Sequence, residues 1–315
     1  MSGAFRPPAT LLGAVAAPGG VLPAGCRAAV LGLPFDCGVH PFRVGSRDGP
    51  AAIRAASRLV RTYNPDGADF DPVTRLALAD AGDVELTPGR IGEALPRIEA
   101  AMAQLLAQGA VPVTMGGDGS VSLPQLRALA AVHPGLVSVH IDSHTDTYPY
   151  VESDRYNAAT QYTHAAQEGL IETGRSFHIG LRGPTSIPGI YAHTRQHGYK
   201  LIPLAALLER GIADVAAELR AVIGDRPVHL CFDMDVFDPS CAPGVATPVW
   251  GGLLAREGLA LLRALAGLKV VAVDVNTVSP AHDVNGLTAS LAAQVLYEGL
   301  VLVCRAQGLD APEIA

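Results

Sequence analysis

The sequence is short of charge and of aromatic rings: of its 315 residues, 17% are charged, 5% are aromatic and one is tryptophan. Its 23 lysines and arginines are scattered and are outnumbered by 30 aspartates and glutamates, for a net charge of −7. A nucleic-acid surface needs clustered positive charge, so no nucleic-acid partner is expected. No unbroken apolar run reaches the roughly 18 residues that span a bilayer, so no membrane partner is expected either. The five cysteines, Cys26, Cys37, Cys231, Cys241 and Cys304, are odd in number, and no two are spaced C-x-x-C. They read as thiols of a reducing compartment, not as a disulfide scaffold. A basic leader is missing too: residues 9–17 are apolar and end in small side chains, but Pro7 and Pro8 stand where a charged segment would precede them. These absences together lead us to expect a soluble, cytoplasmic protein.

What is present is a large apolar core, at 49% hydrophobic residues. Strand candidates at 28–33, 111–115, 137–141, 177–181, 228–232 and 270–275 are nearly continuous in Val, Ile and Leu, as strands buried on both faces should be. Between them lie helical patterns at 50–62, 91–108, 123–132, 204–222, 255–265 and 287–304. Such alternation predicts a three-layer α/β/α architecture around a mostly parallel sheet. No Pro/Gly/Ser linker and no internal repeat divides the chain, so residues 1–315 are read as a single domain in which about 1–26 form an N-terminal extension.

In open parallel sheets chemistry collects at the carboxyl ends of strands. The strand at 137–141 is followed by Asp142-Ser143-His144-Thr145-Asp146, and the one at 228–232 by Asp233-Met234-Asp235. If the extended backbone continues, its period of two puts Asp142, His144 and Asp146 on one face, and Asp233 and Asp235 form a second such pair. A lone D-x-D is most often a solvated turn or a cap. Two motifs of this kind, each at a strand end of one sheet, point instead to a metal site built from Asp142, His144, Asp146, Asp233 and Asp235. Packed aspartates repel unless a cation compensates them. Oxygen and imidazole donors suit Mn²⁺ or a similar first-row ion, and a water shared by two such ions loses a proton near neutral pH.

Read with these motifs, the chain resembles the ureohydrolase family, which includes arginases and agmatinases. The resemblance runs from about residue 31 to the C-terminal helix. It rests on Gly32-Leu33-Pro34-Phe35-Asp36, Gly45-Ser46-Arg47-Asp48-Gly49-Pro50 with Ile53-Arg54, Asp80-Ala81-Gly82-Asp83, Gly116-Gly117-Asp118, both aspartate motifs, Phe237-Asp238-Pro239, Ala242-Pro243-Gly244 and Gly251-Gly252-Leu253, in that order. It implies a small guanidino-type substrate, hydrolysis of a C–N bond to release urea at a two-metal centre, and trimers or hexamers. Mn²⁺ is the ion it implies first, with Ni²⁺ as the alternative.

Three positions depart from the family pattern. Gly119 stands where the Gly-Gly-Asp-His motif carries a metal-binding histidine, Ala158 where a second histidine assists proton transfer, and Thr277 where a carboxylate grips the guanidinium. By the resemblance, Asp142, His144, Asp233 and Asp235 hold one ion. A second, held by Asp142, Asp146 and Asp233, is weakened by Gly119. Asp146 and His164, the latter as a displaced acid/base group, are the candidate catalytic residues; Thr277 and Trp250 are the candidate substrate contacts. Trp250 equally suits a subunit contact. The expected activity is therefore that of an agmatinase-like hydrolase with a non-classical guanidine or amidine substrate. The alternative is a weakly catalytic subunit that pairs with an intact paralogue, as in the heteromeric metformin hydrolases of this family. His140, His178 and His229, inside apolar strands, read as core histidines. Cys231 and Cys241 read as packing thiols, and Asp118 as the anchor of its own turn.

Overall fold

Consecutive residues of one strand feed two different cores, and this builds the layers. In the strand Ala28–Gly32, Ala28 and Val30 pack into one apolar cluster while Ala29 and Leu31 pack into another on the opposite face. The computed structural model describes residues 9–37, 43–65 and 67–311. Residues 1–8 of the expected N-terminal extension lie outside the described residues.

Among the described residues nine strands form one sheet, and every ladder in it is parallel: β1 Val15–Ala16, β2 Ala28–Gly32, β3 Ala79–Asp83, β4 Val111–Met115, β5 Val137–Ile141, β6 Phe177–Leu181, β7 Lys200–Pro203, β8 Pro227–Asp233 and β9 Lys269–Asn276. Their order is β1-β3-β2-β4-β9-β8-β5-β6-β7. The chain leaves β4, re-enters the sheet at β5, and later slips β8 and β9 into the space between them. That late insertion sets the two aspartate-bearing strands side by side. Ile141 pairs with Phe232, so Asp142 follows β5 directly beside Asp233 at the end of β8.

Helices α1 Gly49–Ser57, α7 Leu204–Arg210, α8 Ile212–Ile223, α9 Ala255–Ala264 and α10 Leu287–Ala306 cover one face. The other face carries α3 Ile91–Ala107, α4 Ser122–Val132 and α5 Gln161–Gln167. Short helices α2 Pro72–Arg75 and α6 Ile190–Gln196 complete the set among the described residues. α3 shows why the pattern works: Ala94, Leu95, Ile98, Met102 and Leu105 are buried at helical spacing, and the stripe between them faces water.

Several expectations need correction. The helix expected at 204–222 is two helices, because Gly211 adopts φ 84° and ψ 153°, outside any helical basin. The helix expected at 50–62 ends at Ser57, whose hydroxyl turns back to the Arg54 carbonyl at 2.8 Å. Part of the expected N-terminal extension is sheet: β1 pairs with β3, and the Leu11 amide donates to Asp80 Oδ2 at 2.9 Å. By length and mean hydropathy (1.6), α10 could cross a membrane even though no unbroken apolar run does; 78% of its most apolar stretch is buried inside the protein, which marks a core helix.

A buried ion pair ties these edge elements together. Arg54 of α1 donates two bonds of 2.9 Å to Asp80, one to Asp83 and one of 3.0 Å to the Gly82 carbonyl, and it is 7% exposed. Removing one partner strands the other's charge away from water. Arg54→Leu should therefore lower the unfolding free energy by about 3–5 kcal/mol, measured by urea denaturation. The double variant Arg54→Leu/Asp80→Leu should recover part of that loss. A single variant within ~1 kcal/mol of the parent would mean that the pair does not anchor this edge.

Candidate active site

A cavity of about 300 Å³ opens at the carboxyl ends of the central strands. Asp142, His144, Asp146, Asp233 and Asp235 line it, together with Gly119, Ala158 and Thr277. The five residues read as metal-binding from the sequence are thus gathered in one place, and the three departures from the family pattern face the same space.

Backbone and side-chain bonds fix the cluster before any ligand arrives. Asp142 Oδ1 accepts from the His144 amide at 2.9 Å. The Ser143 hydroxyl donates to Asp235 Oδ1 at 2.9 Å and lies 3.0 Å from His144 Nδ1. That ring nitrogen stands 3.3 Å from Asp142 and 3.5 Å from Asp235. Asp146 and Thr277 adopt left-handed backbone, with φ of 47° and 73°. For a β-branched threonine this conformation is strained by about 1–3 kcal/mol, and surrounding bonds must hold it. The Thr277 amide donates to the Gly117 carbonyl at 2.8 Å, its hydroxyl donates to the Asn276 carbonyl at 2.7 Å, and the Thr277 hydroxyl oxygen accepts from the Met234 amide at 3.0 Å. Thr277 is in the wall, as a substrate contact must be, yet its hydroxyl hydrogen is committed to the backbone.

Electrostatics follow from this crowding. All four carboxylates are at most 6% exposed. Burial, then the charge of Asp142, pushes Asp146 well above the ordinary carboxylate range. Burial followed by repulsion from Asp142 and Asp146 does the same to Asp233, and Asp235 is pushed up to about 6 by burial and Asp142. Asp142 behaves oppositely. Burial alone would raise it, but His140 and His144 hold its carboxyl well below the usual range. His144 is likewise penalised by burial, and Asp235 and Asp142 more than offset this, raising it well above its ordinary value.

Among the described residues three groups of donors lie close enough to hold an ion: Asp142-His144-Asp235 and His140-Asp142-Asp146-Asp233, which share Asp142, and His140-Cys231-Asp233 behind them. Carboxylates that repel one another, with hard oxygen and imidazole donors and no thiolate required, fit a divalent first-row cation.

Two expectations are corrected here. His164 is 1% exposed and does not line the cavity; its ring stacks on Tyr150 at 4.4 Å and on Tyr156 at 4.7 Å, with Nε2 2.7 Å from the Arg155 carbonyl. His164 is thus packed among aromatic rings and outside the cavity lining. Ala158 does line it, so the position where the family's histidine belongs offers only a methyl group. Trp250 is 77% exposed and outside the lining, because Asp238 Oδ2 accepts from the Gly251 and Gly252 amides at 2.8 and 3.0 Å and fixes a turn that leaves the indole facing solvent.

Other residues escaped the sequence reading. His140, taken as a core histidine, has Nε2 3.1 Å from Asp142 Oδ2 and Nδ1 2.8 Å from His178 Nδ1, so it backs the first aspartate. The period-of-two rule, carried one step back from Asp142, would have flagged it. Gln161 gave no such signal, although its Nε2 donates to Asp146 Oδ2 at 2.6 Å. Arg43 and Tyr148 also line the cavity. Asp118 keeps the structural role expected of it, accepting from the Cys37 amide at 2.7 Å and from Ser120.

Residues 26–301 match the arginase family model. Proclavaminate amidinohydrolase of Streptomyces clavuligerus is 38% identical over 286 residues, covering 90% of each chain. Its solved structure covers 96% of this chain and 98% of its own, at 36% identity and a TM-score of 0.89. Mitochondrial agmatinase of Gallus gallus is 36% identical over 281 residues, 89% of this chain and 82% of that protein. A formiminoglutamase of Trypanosoma cruzi solved with Mn²⁺ is 25% identical, with 88% of this chain and 93% of that one covered and a TM-score of 0.78.

The raised carboxyls make a signed prediction for chelator-treated protein. Between about pH 4 and about 6 the folded chain keeps a proton on Asp235 that the unfolded chain has lost. Stability carried by that group is present at the low end of this window and falls as pH rises through it. The melting temperature of the parent relative to Asp235→Asn should therefore decline across the window, by calorimetry. Added Mn²⁺ should reverse the trend, because cation binding needs ionised carboxylates. A parent-minus-variant difference that rises with pH would contradict this charge assignment.

Proposed function

The chain belongs to the arginase family, and on that premise we propose that it is a divalent-metal-dependent hydrolase of a guanidino or amidino compound other than agmatine or arginine. The observation that carries this reading is the convergence of four aspartates and His144 on one cavity at the ends of β5 and β8. Asp142, His144 and Asp235, with Asp233, would hold the ion, and Mn²⁺ is our first choice. A divalent cation bound there supplies Lewis acidity and makes water nucleophilic near neutral pH.

The chain's own residues divide the remaining work. Ser143 fixes His144 against Asp235, so the imidazole and carboxylate keep one geometry. Asp146, whose carboxyl burial and Asp142 push upward, is the group we assign to proton transfer, and Oδ1 is the atom left for it because Oδ2 accepts from Gln161. Thr277 offers no charge to a guanidinium. A hydroxyl in place of a carboxylate forgoes a charge-assisted pair worth roughly 1.5–3 kcal/mol, and here the hydroxyl hydrogen is already donated.

A second reading draws support from Gly119, Ala158 and Thr277 all facing the cavity: a weakly catalytic subunit that assembles with an intact family member. The two readings differ in where activity resides. For an independent enzyme, Asp142→Ala abolishes turnover of the isolated chain. For a supporting subunit, the same change leaves most activity of a co-expressed mixed oligomer.

Urea release from a substrate panel, with Mn²⁺ supplied, tests the main reading. Uncharged or acylated guanidines should exceed agmatine and arginine in kcat/KM by about tenfold to hundredfold, the range that 1.5–3 kcal/mol converts to. Agmatine turnover equal to that of the uncharged guanidines would sink the assignment of Thr277.

A further inference from the structure

Gln161, at the start of α5, is 2% exposed and bonded on one side only. Its Nε2 donates to Asp146 Oδ2 at 2.6 Å, while its Oε1 is buried without a hydrogen-bond partner. The carboxamide lies against Gly119. A Cβ added at Gly119 would sit 2.7 Å from Gln161 Nε2 and 3.2 Å from Asp146 Oδ2. The first distance is closer than a carbon can approach, so a side chain at 119 requires the amide of Gln161 to move from its present place. Of the two donor groups that share Asp142, only the one containing Asp146 touches Gln161.

We propose that Gln161 is a built-in stopper of the second metal position. Its amide N–H group takes the cation's place at Asp146, and the chain then holds a single divalent ion at Asp142, His144 and Asp235. Two physical points support this. An ionised, buried carboxylate needs either a cation or a donor, and a carboxamide is a donor that brings no net charge. A cation seated at Asp146 would also face the amide hydrogens, so it must displace the side chain or turn it until Oε1 points inward. The unpartnered Oε1 shows that the present orientation is set by the bond to Asp146, with nothing holding the far side. Gly119 and Gln161 therefore act as a pair: the glycine leaves the space and the glutamine fills it.

This inference rests on the metal-dependent reading above, and its test separates the two. Mn²⁺ content is measured after gel filtration, second-site affinity by calorimetric titration, and Mn–Mn coupling by electron paramagnetic resonance, none of which needs turnover. The parent chain should retain one equivalent. In Gln161→Met, which keeps length but neither donates nor blocks with a polar head, a second ion should bind more tightly by about tenfold or more, the scale of one charge-assisted bond. Gly119→His alone should bind a second ion more weakly than the double variant, because the amide of Gln161 must first give up its bond to Asp146. The double variant Gly119→His/Gln161→Met should hold two and show an exchange-coupled signal.

Two tight equivalents on the parent chain would overturn the proposal without recourse to any variant. So would loss of an ion in Gln161→Met, which would make Gln161 a ligand through Oε1, or a second ion bound as tightly by Gly119→His as by the double variant. Gln161→Leu serves in place of the Met variant should that one fail to fold. Absence of tight binding in every form would reject the metal-dependent reading itself and the stopper with it.

Discussion

Four carboxylates held out of water within one cavity are the constraint to which the rest of this molecule answers. The parallel register Ile141↔Phe232 forces Asp142 and Asp233 to be neighbours, and no rearrangement short of breaking the central ladder can separate them. Their repulsion is partly met from within. His140 and His144 stabilise the charge of Asp142, the Ser143 hydroxyl serves Asp235, and Gln161 serves Asp146. None of these donors carries a full compensating charge for Asp233, which explains why burial and its neighbours push that carboxyl upward. A sheet that gathers these carboxyls and His144 at its end offers a donor set that fits a divalent cation.

Around that constraint the loops are fastened by carboxylates with a different task. Asp36 accepts from the backbone amides of Gly45, Ser46 and Arg47. Asp118 holds the turn before α4, and Asp238 holds the Gly251-Gly252 turn. Arg182 donates to the carbonyls of Asp235, Phe237 and Val249, joining the second aspartate motif to the loop beyond it. Close packing enforces the same order at Gly117, where a Cβ would fall 1.8 Å from the Phe35 carbonyl oxygen. The cavity wall is thus set largely by side chains committed to backbone groups, Asp36 and Asp118 among them although both line the cavity.

This division explains what could be read in the chain before its fold was known. Strands buried on both faces announce themselves as Val/Ile/Leu runs, and β4, β5 and β6 lie where that pattern puts them. β3 does not, because Ala79–Asp83 reads ADAGD and owes its place to the Arg54–Asp80 pair instead of to apolar surface. β1 has two residues and β7 has four, too short for a period to register. The aspartate motifs were legible because each is local and follows a strand. Gln161 was not, since it acquires its meaning from Asp146, and His140, although two residues before Asp142, is ambiguous in an apolar run until His178 and Asp142 are seen beside it. His164 and Trp250 were misplaced for a related reason. Proximity in sequence to a site says nothing about which way a ring turns, and Tyr150, Tyr156 and Asp238 decide that here.

The departures from the family pattern also have a physical logic, visible at Thr277. Its left-handed backbone is costly for a β-branched residue, yet it is retained while the carboxylate is absent. The reason lies in what the conformation does: the Thr277 amide reaches Gly117 and its hydroxyl oxygen reaches the Met234 amide, stitching β4, β8 and β9 together where the aspartates emerge. Gly119 is similar in kind, for the space it leaves is taken by a carboxamide that bonds Asp146 instead of standing open. At both positions the contacts that hold the backbone of the site are made without a charged side chain facing the cavity. Folding and ligand chemistry make separable demands on one fold. At Thr277 both the backbone amide and the hydroxyl serve the strand ends, and the side chain that faces the cavity brings no charge to it.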